Sequence, residues 1–555
     1  MRLPPEFRPI VLVWLVVVGL FLTVLAVFPP LTREFARLDR YALDERIHTL
    51  INAGDSRTAV RESLVAVGMD PLDIEARYAL GEALEANGDL IGAAAEFTRA
   101  AETMERHSFV RAKDRSQEYR FWFRYRFARH EWFDALSAFC LLPENDPWVT
   151  NEVLANAITA ATEVGSYRYT VALGDEPSLE QMLPSDTTRC TEFALTCLYA
   201  GTKQVAEKAF ERAAQGGSDI AAFHAGMIAL ERGDREKAEG FFERARPGPK
   251  EYGLARVCQA QGKLAEANEL YRKMLEAPAV DIEWLCNAWD AAQKTGDGEQ
   301  VQRVVQYLYH LNPQFVTWHE VKPALILAGV SFDTLRLSSA GYATATFFWR
   351  LPHTDEKDRG RLVVVKKEDS NLLARFGDMC FHKATVRNPL CEPGLEVGGS
   401  GQRYPLGFCE DLDYQHPPDQ RRIIRDEQPN HDGDLCLCMA GTKKATSSRI
   451  TSRRFKVTGG QWYVIGGYVR TRGGTAQFTW NWFDALKREV AGSGWNEIRR
   501  DNSPQWGGAS RLVRAPHSAA SCSIALGNWL SEGESYFDDI FLIEVPLERA
   551  MLDLL

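Results

Sequence analysis

The chain has no basic excess: 65 Lys and Arg stand against 75 Asp and Glu, a formal net charge of -10. Proteins that grip nucleic acid normally show the reverse balance, so nucleic acid is not an expected partner. Compact catalytic signatures are also missing. There is no Walker loop, no HExxH pair, no nucleophile elbow and no dinucleotide fingerprint. The eleven cysteines are an odd, scattered set without a CxxC pair, which argues against a domain stapled by disulfides. His416, His431, Cys436 and Cys438 are zinc-ligand types, but the paired spacings of zinc sites are absent. Cysteines two apart on a strand share one face, and core packing is their simpler role.

Long apolar runs are equally scarce, with one exception. Ile10 to Phe28 carries no charge and lies between Pro9 and Pro29-Pro30. At ~1.5 Å per residue it covers about 28 Å, close to the hydrocarbon thickness of a bilayer. No small-x-small site follows it, so an uncleaved single-span anchor is expected rather than a signal peptide. Arg2 and Arg8 precede the run, and Arg33, Arg37, Arg40 and Arg46 follow it. That count does not favour the usual N-in arrangement. The expectation is a single-pass membrane protein with a periplasmic or extracellular soluble part, its orientation left open.

What the sequence does have is a repeat. Leu80-Gly81, Leu84, Gly88-Asp89, Ala93, Phe97 and Ala100 have the spacing of a 34-residue helix-turn-helix unit. Small residues belong where helices cross closely, glycine belongs at the turn, and aspartate caps the next helix. The same places recur at Gly54-Asp55 and Ala59, and at Ala135 and Phe139. They return at Gly201 to Ala213, Gly226 to Ala245, Gly262 to Tyr271, and Gly296-Asp297. The segment 150-186 is degenerate, with Gly165 as a candidate turn and Thr170 where alanine is expected. The pattern resembles the tetratricopeptide repeat family. That resemblance implies a solenoid whose groove holds a protein partner. Within it, YRFWFRYRF (119-127) interleaves arginines with rings. Arg120, Arg124 and Phe127 are the candidate partner-binding residues. Helix packing by Tyr119, Trp122 and Phe123, with snorkelling arginines, is the alternative.

From about residue 332 the texture becomes short strands between Gly, Pro and Asp clusters. Many short strands with few helices point to a sandwich. Asn388 to Gly394 (NPLCEPG), Pro405 to Phe408 (PLGF) and His431-Asp432-Gly433 follow in order. Then come the strand at 462-471, Ala515-Pro516 and the closing strand at Tyr536 to Ile540. Together they resemble carbohydrate-binding-module-like, galactose-binding-like jelly rolls. Cys391 stands where that pattern has Phe, and Phe408 where it has Trp. The resemblance implies a structural calcium held by Glu392 with Asp538 or Asp539, the paired carboxylates inside an otherwise apolar strand. The alternative leaves one aspartate in solvent and the other on backbone N-H groups. The resemblance also places Tyr463, Ile465 and Val469 on the core face of their strand. Trp462, Tyr468 and Arg470 are left on the other face, as candidates to contact a sugar or to be covered.

The expected fold is multidomain: a single transmembrane helix, an all-α solenoid and an all-β jelly-roll sandwich. The expected order is tail 1-9, anchor 10-28, solenoid 40-315, capping helix and linker 316-342, linking strands 343-380, sandwich 381-546 and tail 547-555. The expected function is a membrane-anchored, non-enzymatic scaffold that binds a protein and a glycan, in envelope or exopolysaccharide assembly. A purely structural interaction subunit and a carbohydrate-active enzyme are the alternatives.

Overall fold

The computed structural model describes residue 43 and residues 45-547, except 107-114, 144-145, 174-175, 278-280, 323-324, 333-340, 352-359, 367-370, 391-404, 411-420, 426-434, 442-447 and 491-495. The apolar run at 10-28 lies outside the described residues. Among the described residues, no helix is long and apolar enough to cross a membrane. The chain divides into two compact units, 1-121 and 122-555.

In the first unit the helices Ser56–Met69, Ile74–Ala86 and Leu90–Arg106 pack in succession. Each turn between paired helices is built by a Gly-Asp pair. Gly54 and Gly88 take φ of 79° and 84°, a left-handed conformation that other residues rarely tolerate. Asp55 then accepts the Thr58 N–H at 3.2 Å, and Asp89 accepts the Gly92 N–H at 2.9 Å, which caps the following helix. A Cβ on Gly81 would lie 2.8 Å from the Phe97 ring, so this glycine is what lets the helices approach.

The second unit repeats the left-handed glycine turn, and at Gly233-Asp234 and Gly296-Asp297 the aspartate again caps the following helix. Its helix pairs include Thr187–Tyr199 with Lys203–Gln215, and Asp219–Glu231 with Arg235–Phe242. Pro249–Ala260 then pairs with Leu264–Met274, and Ile282–Thr295 with Gly298–His310. Gly165, Gly201, Gly233, Gly262 and Gly296 all take φ between 72° and 89°. Phe242 fills the space over two glycines at once: a Cβ on Gly226 would meet its ring at 2.6 Å, and one on Gly253 at 2.2 Å. At the degenerate unit, Thr170 is fully buried and its hydroxyl pairs with that of Thr162 at 3.1 Å. A polar residue is tolerated there because it has a partner.

Three antiparallel sheets follow. The first, the linking sheet, contains β1 (Phe315–Lys322), β2 (Leu325–Phe332), β3 (Tyr342–Arg350), β4 (Leu362–Lys366), β5 (Leu372–Phe376) and β6 (Met379–Arg387). Its order is β1-β2-β3-β6-β5-β4. Two boundaries therefore move. The capping helix expected within 316-342 is replaced by β1 and β2. Their β-branched and aromatic residues (FVTWHEVK, LILAGVSF) suit a strand with one or both faces covered. The sandwich boundary expected at 381 falls inside β6, so the preceding strands and the sandwich share continuous structure.

The sandwich proper has two sheets. One runs β14 (Glu497–Asp501), β13 (Thr475–Phe483), β16 (Ser521–Asn528), β10 (Ser448–Ser452) and β7 (Phe408–Glu410), with β11 (Phe455–Lys456) also on β16. The other runs β15 (Gly507–Arg514), β12 (Trp462–Arg472), β17 (Glu534–Glu544), β9 (Leu435–Ala440) and β8 (Arg421–Arg425). Phe478, Trp480, Trp482, Ile465, Phe537 and Leu542 fill the space between them.

The linking sheet has two buried faces because its strands alternate. On β3, Ala343, Ala345, Phe347 and Trp349 meet Val464, Leu512, Phe541 and Ile543 on the outer face of the β12-β17 sheet. Phe348, with Leu372, Ala374 and Phe381 from β5 and β6, packs on the helices between Tyr252 and Leu308. Polar contacts fix that second face. Lys383 reaches Asp281 at 2.6 Å, with both side chains nearly buried, and Lys366 reaches Asn287 at 3.3 Å. Tyr199 and Thr344 share a hydrogen bond at 3.1 Å. Asp281, Asn287 and Tyr199 belong to the first helices of their pairs or cap them, so the sheet occupies that face of the later repeats.

Candidate functional site

The paired carboxylates sit in a bulge of β17. Tyr468 on β12 stands opposite Asp538 and Gly466 opposite Phe541, with a register shift between them. The extra residue puts Asp539 at φ 46°, a region that L side chains rarely enter. Its backbone N–H donates to the Asp538 carboxylate at 2.7 Å. Both side chains are buried, with 1% and 6% exposure, so neither is the solvent-facing aspartate of the simpler alternative.

Asn388 connects the opening motif to this strand. Fully buried, it donates from Nδ2 to the Ile540 carbonyl at 2.9 Å and accepts the Leu542 N–H at 3.2 Å. Its neighbours Pro389 and Leu390 offer their carbonyls to Arg168 at 3.0 and 2.7 Å. The sequence marked Asn388 only as the start of a motif, and nothing local shows that a buried asparagine 152 positions away satisfies β17. Glu392, the third expected calcium ligand, lies outside the described residues, as do His416 and His431. Cys436 and Cys438 are buried and packed with Tyr536 and Trp506 on the outer face of their sheet. Among the described residues no group of three or more metal-ligating side chains comes together.

The expected division of β12 is present. Tyr463, Ile465 and Val469 point into the sandwich core. Trp462 and Tyr468 point outward, where the linking sheet meets them: the Trp462 ring lies 5.3 Å from His319, and the Tyr468 ring 5.0 Å from Phe315. Arg470 is 1% exposed, its guanidinium 4.1 Å from the centre of the Tyr536 ring. The three candidates thus share a face, but that face is an internal packing surface where they lie.

On the helix Ser116–Ala128, Phe121 and Phe123 are the buried rings, while Trp122 and Tyr119 are half-buried. Arg124 is exposed, 5.2 Å over the Trp148 ring. Phe127 is half-buried, with its ring centre 5.3 Å from that of Trp132, and Arg120 is half-buried. Arg126 likewise lies over Trp122, at 5.2 Å, and is bridged to Asp134 at 2.8 Å. Arginines stacked on rings and tied to carboxylates account for much of this stretch within its own helix pair.

No family model matches the chain, and no curated protein matches it. Solved structures resemble parts of it. One is a carbohydrate-binding module, TmCBM61, in complex with beta-1,4-galactotriose: 14% identical, TM-score 0.22, covering 29% of this chain and 99% of that one. Another is the CBM22-1 xylan-binding domain from Paenibacillus barcinonensis Xyn10C: 12% identical, TM-score 0.20, covering 27% and 95%. A third is PilW, a type IV pilus biogenesis factor: 13% identical, TM-score 0.20, covering 48% and 91%. The chain spans 18% of a bacteriophage CBA120 tailspike domain that it also resembles, at 10% identity and TM-score 0.20. A helical repeat region followed by a β-sandwich rests on the helix pairs and strand registers themselves.

Proposed function

We propose that this chain is a non-enzymatic binding scaffold that holds a protein partner on its helical repeats and a glycan on its β region. One observation carries the reading. The linking sheet buries one face against the repeats and the other against the sandwich, which makes one body of two module types suited to holding ligands. Such a body presents its ligands in fixed relation, so each contact can be weak alone. The span expected at 10-28 would tether it to a membrane in envelope or exopolysaccharide assembly. Because the later repeats are occupied by the chain's own sheet, the partner surface is assigned to the helix bearing Arg120, Arg124 and Phe127.

We extend the proposal to a structural calcium at the bulge in β17. Asp538 and Asp539 are adjacent and almost fully buried, and a hard divalent cation takes oxygen ligands of this kind. Asp538 and Asp539, with Glu392, are the residues that would hold it, and its contribution would be stability rather than chemistry. Chelation should lower the melting temperature of the full chain, and Glu392→Ala should lower it to a similar degree. An unchanged transition in both removes the cation from the reading.

The glycan role is tested by presenting the full chain in detergent to an immobilised glycan array, where binding to at least one oligosaccharide is expected. A second reading, a purely structural subunit, draws on the packing of Trp462 and Tyr468 beneath the linking sheet. It predicts no glycan binding and leaves the protein-partner role intact.

A further inference from the structure

Trp318 was hidden in the stretch where a capping helix was expected, and it is exceptional in the fold. Among the described residues it is the one tryptophan that is mostly exposed, at 56%. It sits in a bulge of β1, where Val316 pairs with Gly329 and His319 with Leu327, so that Thr317 and Trp318 together oppose one residue. Trp318 takes φ 43°, a conformation unfavourable for a bulky side chain. The Thr317 hydroxyl donates to the Leu327 carbonyl at 2.6 Å and holds the bulge in place. An exposed indole contributes little burial to offset that strain, and strain of this kind concentrates at functional positions.

Two polar side chains reach the same end of the sheet. Arg350, at the end of β3, places its guanidinium 5.2 Å from the centre of the Trp318 ring. Asp378, in the β5-β6 turn after Gly377, lies 4.0 Å from Arg350. The Asp378 carbonyl accepts the Leu351 N–H at 2.9 Å, which anchors the turn to the end of β3. Arg350 and Asp378 side chains are each about half exposed, at 48% and 49%.

We propose that Trp318, Arg350 and Asp378 form a sugar-binding site on the linking sheet. A pyranose has an apolar C–H face and a rim of hydroxyls. The indole stacks on the first, while the guanidinium donates to the second and the carboxylate accepts from it. A protein hot spot would more often lie within a wider apolar patch. Here the flanking His319 and Glu320 are exposed and polar, and Val316 is the exposed apolar neighbour on β1. The site lies outside the 388-545 segment that resembles carbohydrate-binding modules, and it rests on the glycan-binding reading above.

The test uses the full chain in detergent, run through native gels cast with soluble xylan, galactan, mixed-linkage glucan or alginate. Wild type should be retarded by at least one of them. Trp318→Gly should weaken that retardation at least tenfold, Trp318→Phe should retain part of it, and Asp378→Asn should weaken it less than the glycine variant. The melting temperature of Trp318→Gly should not fall, because glycine adopts φ 43° without strain. Undiminished binding by Trp318→Gly overturns the site and leaves the glycan reading standing. A melting temperature lowered by several degrees marks the indole as a packing residue and also overturns the site. Wild type retarded by none of the polysaccharides overturns both readings.

Discussion

The helical repeats and the linking sheet are held together by contacts of opposite range. In the repeats, Phe242 closes over Gly226 in the preceding helix and Gly253 in the following one, all within 27 positions of each other. In the linking sheet the polar ties span far more chain. Lys383 reaches Asp281 across 102 positions and Tyr199 reaches Thr344 across 145, and just past the sheet Arg168 reaches Leu390 across 222. Local contacts make each repeat answer to its neighbours alone, while distant ones make the sheet a single lock between two modules.

That contrast can be broken from either side. Phe242→Ala should have the largest effect, about 3–5 kcal/mol, because it empties the space over two glycines that have no side chain with which to refill it. Its effect on hydrogen exchange should concentrate between residues 219 and 274; protection lost equally in β12 and β17 would contradict a local role. Lys383→Met should cost about 3 kcal/mol by leaving Asp281 nearly buried without its cation. The double variant with Asp281→Asn should recover part of that loss, read from thermal melts as a coupling energy. Strict additivity would mean that the pair does not lock the sheet.

The smallest effect is one of pH. His224 stacks on Phe210 at 5.1 Å. Burial, with the Lys383 charge as a second cause, lowers its pKa to about 4 from an ordinary 6.5. A histidine whose folded pKa is depressed leaves the unfolded chain binding more protons in the interval between the two values. Its contribution is therefore complete above about pH 6.5 and is lost as pH falls toward 4. His224→Gln should flatten the decline in melting temperature across that window relative to wild type. Identical profiles would show that His224 does not titrate there.

Much of the helical half was legible because its determinants are local. The turn glycines at 54, 88, 165, 201, 233, 262 and 296 all have positive φ, and Gly81 lies at a close helix approach, against Phe97. The core face of β12 was legible for the same reason, since alternation is a property of one strand. What covers the opposite face was not. Trp462 and Tyr468 read as an open platform or a covered one, and Phe315 and His319, far away in sequence, decide it. β1 and β2 were obscured by the polar run His319, Glu320, Lys322, whose residues stay exposed on an edge strand. The burial of both aspartates in β17 depends on a bulge, and the sequence of β17 shows two carboxylates but not the extra residue between register points.

The central claim is that the later repeats, the linking sheet and the sandwich move as one body. Spin labels on Lys294, at the end of its helix, and on Lys487, in the turn after β13, would measure it directly by pulsed dipolar spectroscopy on the full chain. A single narrow distance distribution is predicted, unchanged by mild denaturant until global unfolding. A broad or bimodal distribution under native conditions would contradict the account.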